Sequence, residues 1–278
     1  MIPTAALRPG SGPGPAWVLI RQLRGALIAD ALKLKGTAAL RLVLGLATLP
    51  VLVIFLVFYF RGATLLEAGQ SPWVPYLHNA WRTEATLLLP LFIVLLTSLV
   101  VQVEHRANAW KHLHTQPITR GVLFCSKLLV LLGLSLLAQG LHAALLLLTG
   151  WLLQATRPEL GFQHYTAPLA AVGTAVLRIY VGTAGILAVQ YVASLAWRSF
   201  VGPVALGLVG TVLALTVLRL VHADLLPYGA PLLTFRTFGA DGPALVVPAT
   251  LASHEWLGLG WVALMLVLGP LWLRRRLA

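Results

Sequence analysis

The sequence predicts an all-α polytopic membrane protein, and three observations carry that prediction. Hydrophobic residues make up 59% of the 278-residue chain, charged residues only 10%, and the mean hydropathy is +0.87. A soluble globule carries about 25% charged residues because its surface has to be solvated, and this chain cannot supply that surface. The charges it has are excluded from long runs: no Asp, Glu, Lys or Arg occurs in 42–60, 85–103, 128–154, 201–218 or 256–273. At ~1.5 Å per residue, each run can cross a hydrocarbon core of about 30 Å. A sixth run, 167–194, is interrupted only by Arg178. Finally, the basic residues are unevenly shared between the two sides. Fourteen Lys and Arg fall on one side, five on the other, and Arg178 lies within a span. The positive-inside rule then places both termini in the cytoplasm.

Taken in order, residues 1–16 are rich in Pro and Gly and read as a flexible lead. Residues 17–276 follow as a single domain with six spans at about 42–60, 85–103, 128–153, 167–194, 201–221 and 256–273. No compact apolar stretch with a small-residue cleavage site precedes them, so no signal peptide is expected. Between Trp17 and Lys35, a period of 3.6 gathers Ile20, Leu23, Leu27 and Leu34 in one arc and Arg21, Arg24 and Lys35 in another. That pattern predicts a helix in the inner interface, its basic side toward anionic headgroups. The first outer connection, 61–84, carries Trp73, Tyr76 and Trp81 beside Pro72 and Pro75. Aromatic rings concentrate at the headgroup level, so membrane-edge anchoring is the expectation here. The last outer connection, 222–255, mixes short apolar pieces with Pro227, Pro231, Pro243 and Pro248. Pieces this short suit re-entrant or interfacial segments better than full spans.

The inner connection between the second and third spans is the most informative stretch. Glu104, Asn108, Lys111 and Thr115 recur at helical spacing while Ala107, Trp110 and Leu113 line another face. Pro117 ends the pattern, because the residue before a proline is pushed out of the α region. A short cytoplasmic amphipathic helix with one aromatic knob results, and it suits either a plain connector or a docking site.

Catalytic chemistry was sought along the whole chain. His254-Glu255-Trp256-Leu257 begins like the HExxH zinc motif, but position 258 is Gly, so the second ligand is missing. His105, His112 and His114 cluster without a carboxylate pair or a Cys to complete a tetrahedral site. The single cysteine, Cys125, excludes an internal disulfide. No G-x-S-x-G elbow and no G-x-x-x-x-G-K-[ST] phosphate loop is present. Neither a catalytic residue, a metal site nor a cofactor of its own is therefore expected, and the chain is read as a non-enzyme. The net charge of +12 speaks for orientation in the bilayer, and no nucleic-acid partner is expected. The polar residues within the spans are few: Arg178, Tyr180, Gln190 and Tyr191 in the fourth, Gln139 and His142 in the third. A buried Arg is costly unless it finds partners or water. Arg178, with Gln190 and His142, either lines an internal cavity that contacts an anionic substrate group or makes a structural inter-helix contact.

The run Glu104…Trp110-Lys111…Leu113…Pro117-Ile118-Thr119-Arg120…Lys127 resembles the inner loop of permease subunits of exporter-type (type two) ABC transporters, in the group that includes lantibiotic-immunity and bacitracin-resistance permeases. Those loops carry a Glu at the end of the second span, a Pro-aliphatic-Ser/Thr-Arg element, and a Lys opening the third span. Leu177-Arg178-Ile179…Gln190-Tyr191…Ser194…Phe200 looks like the fourth span and following turn of the same family. The resemblance covers 17–276; the longer Pro/Gly lead and the aromatic 73–81 loop depart from it. It implies a multi-pass protein of the cytoplasmic (inner) membrane that pairs with a second permease, the same or similar. It also implies a pair of ATPase subunits that hold ATP and magnesium. Glu104, Trp110, Lys111, Leu113, Pro117 and Arg120 would then couple the chain to the ATPase, the first four within a coupling helix over 104–116 and Pro117 and Arg120 just beyond it. Antimicrobial-peptide immunity is the function suggested by that group. The rival classes are a non-transporting scaffold or sensor and an intramembrane enzyme, the latter lacking convergent acid, base or metal residues.

Overall fold

The computed structural model describes residues 15–66, 69–106, 119–197, 199–218, 223–242 and 244–276, and it is almost entirely helical. Helix α1, Pro15–Leu34, opens on a proline at its first position, where the missing N–H costs nothing. It stops at Gly36, whose φ of 77° is the left-handed conformation glycine takes without penalty. The face it turns to the protein is Ala26, Asp30 and Leu34, one residue per turn, while Ile20, Ile28 and Leu32 stay exposed. The observed contact arc is thus narrower than the predicted one, since Ile20 lies outside it.

Helix α2, Ala38–Leu65, shows why a spanning helix can lack an apolar moment. Ala39, Val43, Leu46, Ala47, Val51, Phe58 and Gly62 are buried, yet the opposite face, with Leu49, Leu52, Val53, Leu56 and Phe60, is just as apolar and exposed. A helix hydrophobic all round is one whose outer face meets lipid. The same duality holds for α5, Arg120–Thr156, whose 37 residues run about 55 Å. Helix α6, Leu169–Ala196, is different: it is the most deeply buried of the long helices and forms the axis of the bundle. Small residues let its neighbours close in. A Cβ on Gly185 would lie 3.0 Å from the Cα of Gly258, so α6 and the last helix, α9 (Ser253–Arg276), cross almost backbone to backbone. Five helical segments among the described residues, 38–65, 73–103, 121–156, 169–196 and 253–271, are long and apolar enough to cross a membrane. Helix α7, Val201–Val217, is apolar but shorter; the predicted fifth span reached 221.

The second predicted span began at 85, but helix starts at Trp73. Helix α3, Trp73–Thr83, runs through a π-helical turn at Glu84–Leu88 into α4, Leu89–Arg106. The aromatic rings expected at the membrane edge lie in the protein core instead. Trp73, Tyr76, Leu77, Ala80 and Trp81 are at most 2% exposed, and their spacing of three and four residues is that of a single helix face. Trp73 stands edge-on to Phe162, Tyr76 to Phe58, and Trp81 to Phe238. The Tyr76 hydroxyl is 2.7 Å from Thr149 Oγ1 of α5. Tyr76→Phe is expected to cost about 1 kcal/mol in thermal unfolding of the purified protein. The figure stays small because the Thr149 hydroxyl retains the Leu145 and Leu146 carbonyls; a loss of several kcal/mol would overturn this placement.

Residues 223–252 form a compact cap between α7 and α9. Two 3₁₀ turns, at Ala223–Leu225 and Pro227–Gly229, lead into α8, Ala230–Arg236, which is buried against α6, α9 and the π-turn. An antiparallel hairpin follows, β1 (Gly239–Asp241) on β2 (Ala244–Val246), with Ala240 opposite Leu245. Of the short apolar pieces of this stretch, 227–235 is mostly buried in the bundle, whereas within 244–251 only Leu245 is buried and Ala244 and Val246 are exposed. Beyond the spans, Arg157 donates to the Tyr59 carbonyl and to Glu159, and that bond holds the exposed Glu159 carboxyl below its usual range.

Candidate functional site

Among the described residues, four polar clusters joining segments remote in sequence stand out in the apolar packing, besides the longer contacts of Gln139 to Ser135 and Thr183 at 3.3 and 3.4 Å. Arg178, near the middle of α6, is 3% exposed. Its Nε donates to Glu255 Oε1 at 2.9 Å, its Nη2 to Glu255 Oε2 at 2.5 Å, and its Nη1 to the Pro248 carbonyl at 2.8 Å. Glu255 is itself fully enclosed, in the first turn of α9. The Ala252 amide donates to its Oε2 at 2.6 Å, as in a capping box, and the Thr234 hydroxyl of α8 approaches Oε1 at 3.4 Å. His254 Nε2 lies 3.0 Å from Thr234 Oγ1. The guanidinium and carboxylate meet as a bidentate fork, the geometry in which an Arg–carboxylate pair is strongest. Together these bonds fasten α6, α8, the 248–252 strap and α9 to one another.

Gln190, three turns further along α6, donates to the Pro203 carbonyl of α7 at 2.5 Å and accepts from the Tyr228 hydroxyl at 2.7 Å. It ties the first turn of α7 and the cap to α6. His142 of α5 faces Glu84, with Nε2 3.1 Å from Oε2 and both side chains at most 3% exposed. Arg178, Gln190 and His142 thus go to three separate places in the bundle, each against protein partners. None of them lines either of the two cavities found near α1 and the start of α2.

Those cavities flank the fourth cluster. Asp30 of α1 accepts from Ser126 and, at 3.2 Å, from Lys127 Nζ, both on the first turns of α5; Lys33 adds a bond at 3.4 Å. Asp30 and Lys127 are buried, and a small void of about 20 Å³ beside them is bounded by Val100 and Val103 of α4. A larger cavity, about 310 Å³, opens between Thr37, Ala39, Leu99, Gln102 and Phe200. Among the predicted coupling residues, Trp110, Lys111, Leu113 and Pro117 lie outside the described residues. Glu104 lies on the last turns of α4, and Arg120 begins α5. Of the two helices that flank this connection, α5 is bonded to α1 through Asp30, and α4 only borders the void beside that contact.

Sequence reasoning missed Glu84 and Glu255 as partners. Both were read as outer-connection acids, and a spanning Arg could have been matched to any of six. The usable signal for Glu255 was its place three residues into a helix start, where a side chain turns back to cap its own backbone. No such signal marks a π-turn.

No curated protein and no solved structure matches the chain. One family model does, over residues 26–214, from the second half of α1 through most of α7. That match covers more than half of the sequence, and with it the chain belongs to the ABC-2 family of transporter proteins.

Proposed function

We propose that the chain is the membrane-spanning permease subunit of an exporter-type ABC transporter. It would work beside a second permease, identical or similar, and a pair of cytoplasmic ATPase subunits that supply ATP and magnesium. Family membership over residues 26–214 is the observation that carries this reading; the absence of a phosphate loop from the sequence agrees with it. In this reading six helices, α2, the α3–α4 unit, α5, α6, α7 and α9, span the cytoplasmic membrane. Helix α1 lies in the inner interface and both termini are inside. The segment 104–116 is the coupling helix that a closing ATPase pair pushes. Because Asp30 is bonded to Ser126 and Lys127 at the foot of α5, a push on the α4–α5 connection moves α1 with it. The Arg178–Glu255 fork, with no uncommitted guanidinium nitrogen pointing to a cavity, serves as the clamp that keeps α6, the cap and α9 moving as one body. The resemblance to lantibiotic-immunity and bacitracin-resistance permeases makes antimicrobial peptides the substrate class to assay first.

The test is coexpression with the cognate ATPase, followed by copurification in detergent and ATP hydrolysis in reconstituted vesicles. Copurification with permease-dependent hydrolysis is the expected outcome. Binding without any effect on hydrolysis would favour a scaffold or sensor instead. Reporter fusions after Gly69 and Asp241 should read external, and those after Thr115 and Arg276 internal. An external reading at Thr115 would remove the coupling segment from the cytoplasm and overturn the proposal.

A further inference from the structure

Among the described residues Glu84 and His142 are a buried acid–base pair with incomplete hydrogen bonding. Trp73 Nε1 and Gln139 Oε1 are also buried without a partner, but neither of those groups exchanges a proton. In the Arg178–Glu255 fork each guanidinium nitrogen and each carboxylate oxygen finds a partner. Between Glu84 and His142 there is one close approach, 3.1 Å from Nε2 to Oε2. It lacks hydrogen-bond alignment, and Glu84 Oε1 and His142 Nδ1 have no hydrogen-bond partner. The ring does face the Leu46 and Ala47 carbonyls of α2 as possible acceptors, without aligned hydrogen bonds, so the fully open atom of the pair is Glu84 Oε1. A pair selected only to fasten helices would be satisfied, and buried polar atoms left open call for another explanation. Glu84 moreover opens the π-helical turn that swings the chain from α3 into α4, and such turns are frequent at functional sites.

Charge balance limits what the pair can hold. An uncompensated ion in a low-dielectric interior costs several kcal/mol, so the closed bundle keeps the pair neutral overall. A carboxylate and an imidazole are jointly neutral with one proton beyond the bare carboxylate and neutral ring. That proton rests either on the carboxyl or on the imidazole. No neighbour alters this count. Among the described residues of the surrounding elements the other titratable groups are Arg41, Tyr59 and Arg61 of α2, Tyr76, His78 and Arg82 of α3, Arg178, Tyr180 and Tyr191 of α6, Arg236 of α8, and the residues at the ends of α4 and α5. Arg41, Arg61, Arg82 and Arg236 are exposed, Arg178 is matched by Glu255, and among the described residues Glu84 and His142 make no ion pair except with each other.

We propose that Glu84 and His142 form an intramembrane proton site that holds one proton while the bundle is closed and exchanges it with solvent when the bundle opens, which links the transport cycle to pH. The proton site stands on the geometry; its link to transport rests on the permease reading above. Only a proton moves, from solvent to the pair on closing and back on opening, and no other bond changes. In the open, hydrated state the two groups take their ordinary values, about 4.3 for Glu and about 6.5 for His. Between those values the open pair already carries one proton, and closing needs none. Above about 6.5 the open pair is bare, so closing takes up one proton and weakens about tenfold per pH unit. Glu84→Gln removes the acid, and its closing then needs no proton at alkaline pH. His142→Gln leaves a lone carboxyl that has to be protonated on closing, so its alkaline loss begins about two pH units lower.

Two measurements test this. The first uses the purified full-length permease alone, in lipid nanodiscs, at a pH above the ordinary imidazole value. The expected result is either the infrared carbonyl band of a protonated carboxylic acid or the imidazolium resonance of ¹⁵N-labelled His142. Absence of both overturns the proton site. The second is the pH profile of permease-stimulated ATP hydrolysis in vesicles, with the same ATPase for wild type, Glu84→Gln and His142→Gln. Opposite displacement of the alkaline limb in the two variants supports the link, and three superimposable profiles overturn it. If wild type does not stimulate hydrolysis at any pH while the spectroscopic signal is present, the permease reading fails and the site itself stands. The spectroscopic arm needs no variant, so a variant that fails to fold does not remove the test.

Discussion

Glu255→Leu is expected to destabilise the bundle by about 3–5 kcal/mol, the cost of leaving a buried charge without its partner. Arg178 would keep its full charge and only one of its bonds, to the Pro248 carbonyl, at a position 3% exposed. Arg178→Leu should cost less than Glu255→Leu, because the carboxylate it strands still accepts from the Ala252 amide and lies near the Thr234 hydroxyl. The double variant Arg178→Met with Glu255→Met should recover most of the loss, since a buried ion pair exchanged for packed apolar side chains is often close to neutral. Thermal unfolding and gel-filtration profiles in detergent report all three. Single variants within about 1 kcal/mol of wild type would show that the fork is not closed in the protein. The double variant also separates clamp from substrate contact. A clamp predicts a folded protein that still exports; a folded double variant that has lost export would return Arg178 to the substrate path.

The spans were legible because a charge in hydrocarbon is expensive whatever the fold. Runs free of Asp, Glu, Lys and Arg locate helices α2, α5, α6 and α9 to within several residues at each end. The polar ends proved harder. Helix continues through Arg61 at the end of α2 and begins at Trp73 rather than 85, because nothing about a helix requires it to stop where the lipid does. Trp73, Tyr76 and Trp81 were misplaced for a related reason: an aromatic ring with a polar tip suits both a headgroup layer and a protein core. Their spacing recorded a single buried face, but composition alone pointed to the membrane edge. The candidate site was less legible still. Arg178, Gln190 and His142 were visible as polar residues in apolar runs, whereas their partners lie far away in sequence, 77 residues away for Glu255 and 38 for Tyr228. Nothing in either local sequence encodes that distance. Asp30 and Lys127 could be assigned to the same membrane side by charge counting, and only the packing of α1 on α5 brings them into contact.

Trp110→Ala is expected to weaken association with the ATPase by at least about tenfold. Within the proposed coupling helix, Ala107, Trp110 and Leu113 share one face, and the indole is its only large aromatic group. Buried aromatics are enriched among interface hot spots, where truncation commonly costs at least ~2 kcal/mol, and ~1.4 kcal/mol corresponds to a factor of ten. Lys111→Ala, on the opposite, charged face with Glu104, should cost much less, because a rim charge is screened and its side chain is costly to immobilise. Neither change lies in an apolar run, so insertion and folding of the six helices should be unaffected; thermal unfolding of the two variants checks that directly. The measurement is ATPase recovered on the detergent-solubilised permease across a range of ATPase concentrations. Equal recovery by wild type and Trp110→Ala would take the indole out of the docking contact. A larger loss for Lys111→Ala than for Trp110→Ala would show instead that the ATPase is held by charge on the polar face, with the apolar face of 104–116 turned back toward the membrane.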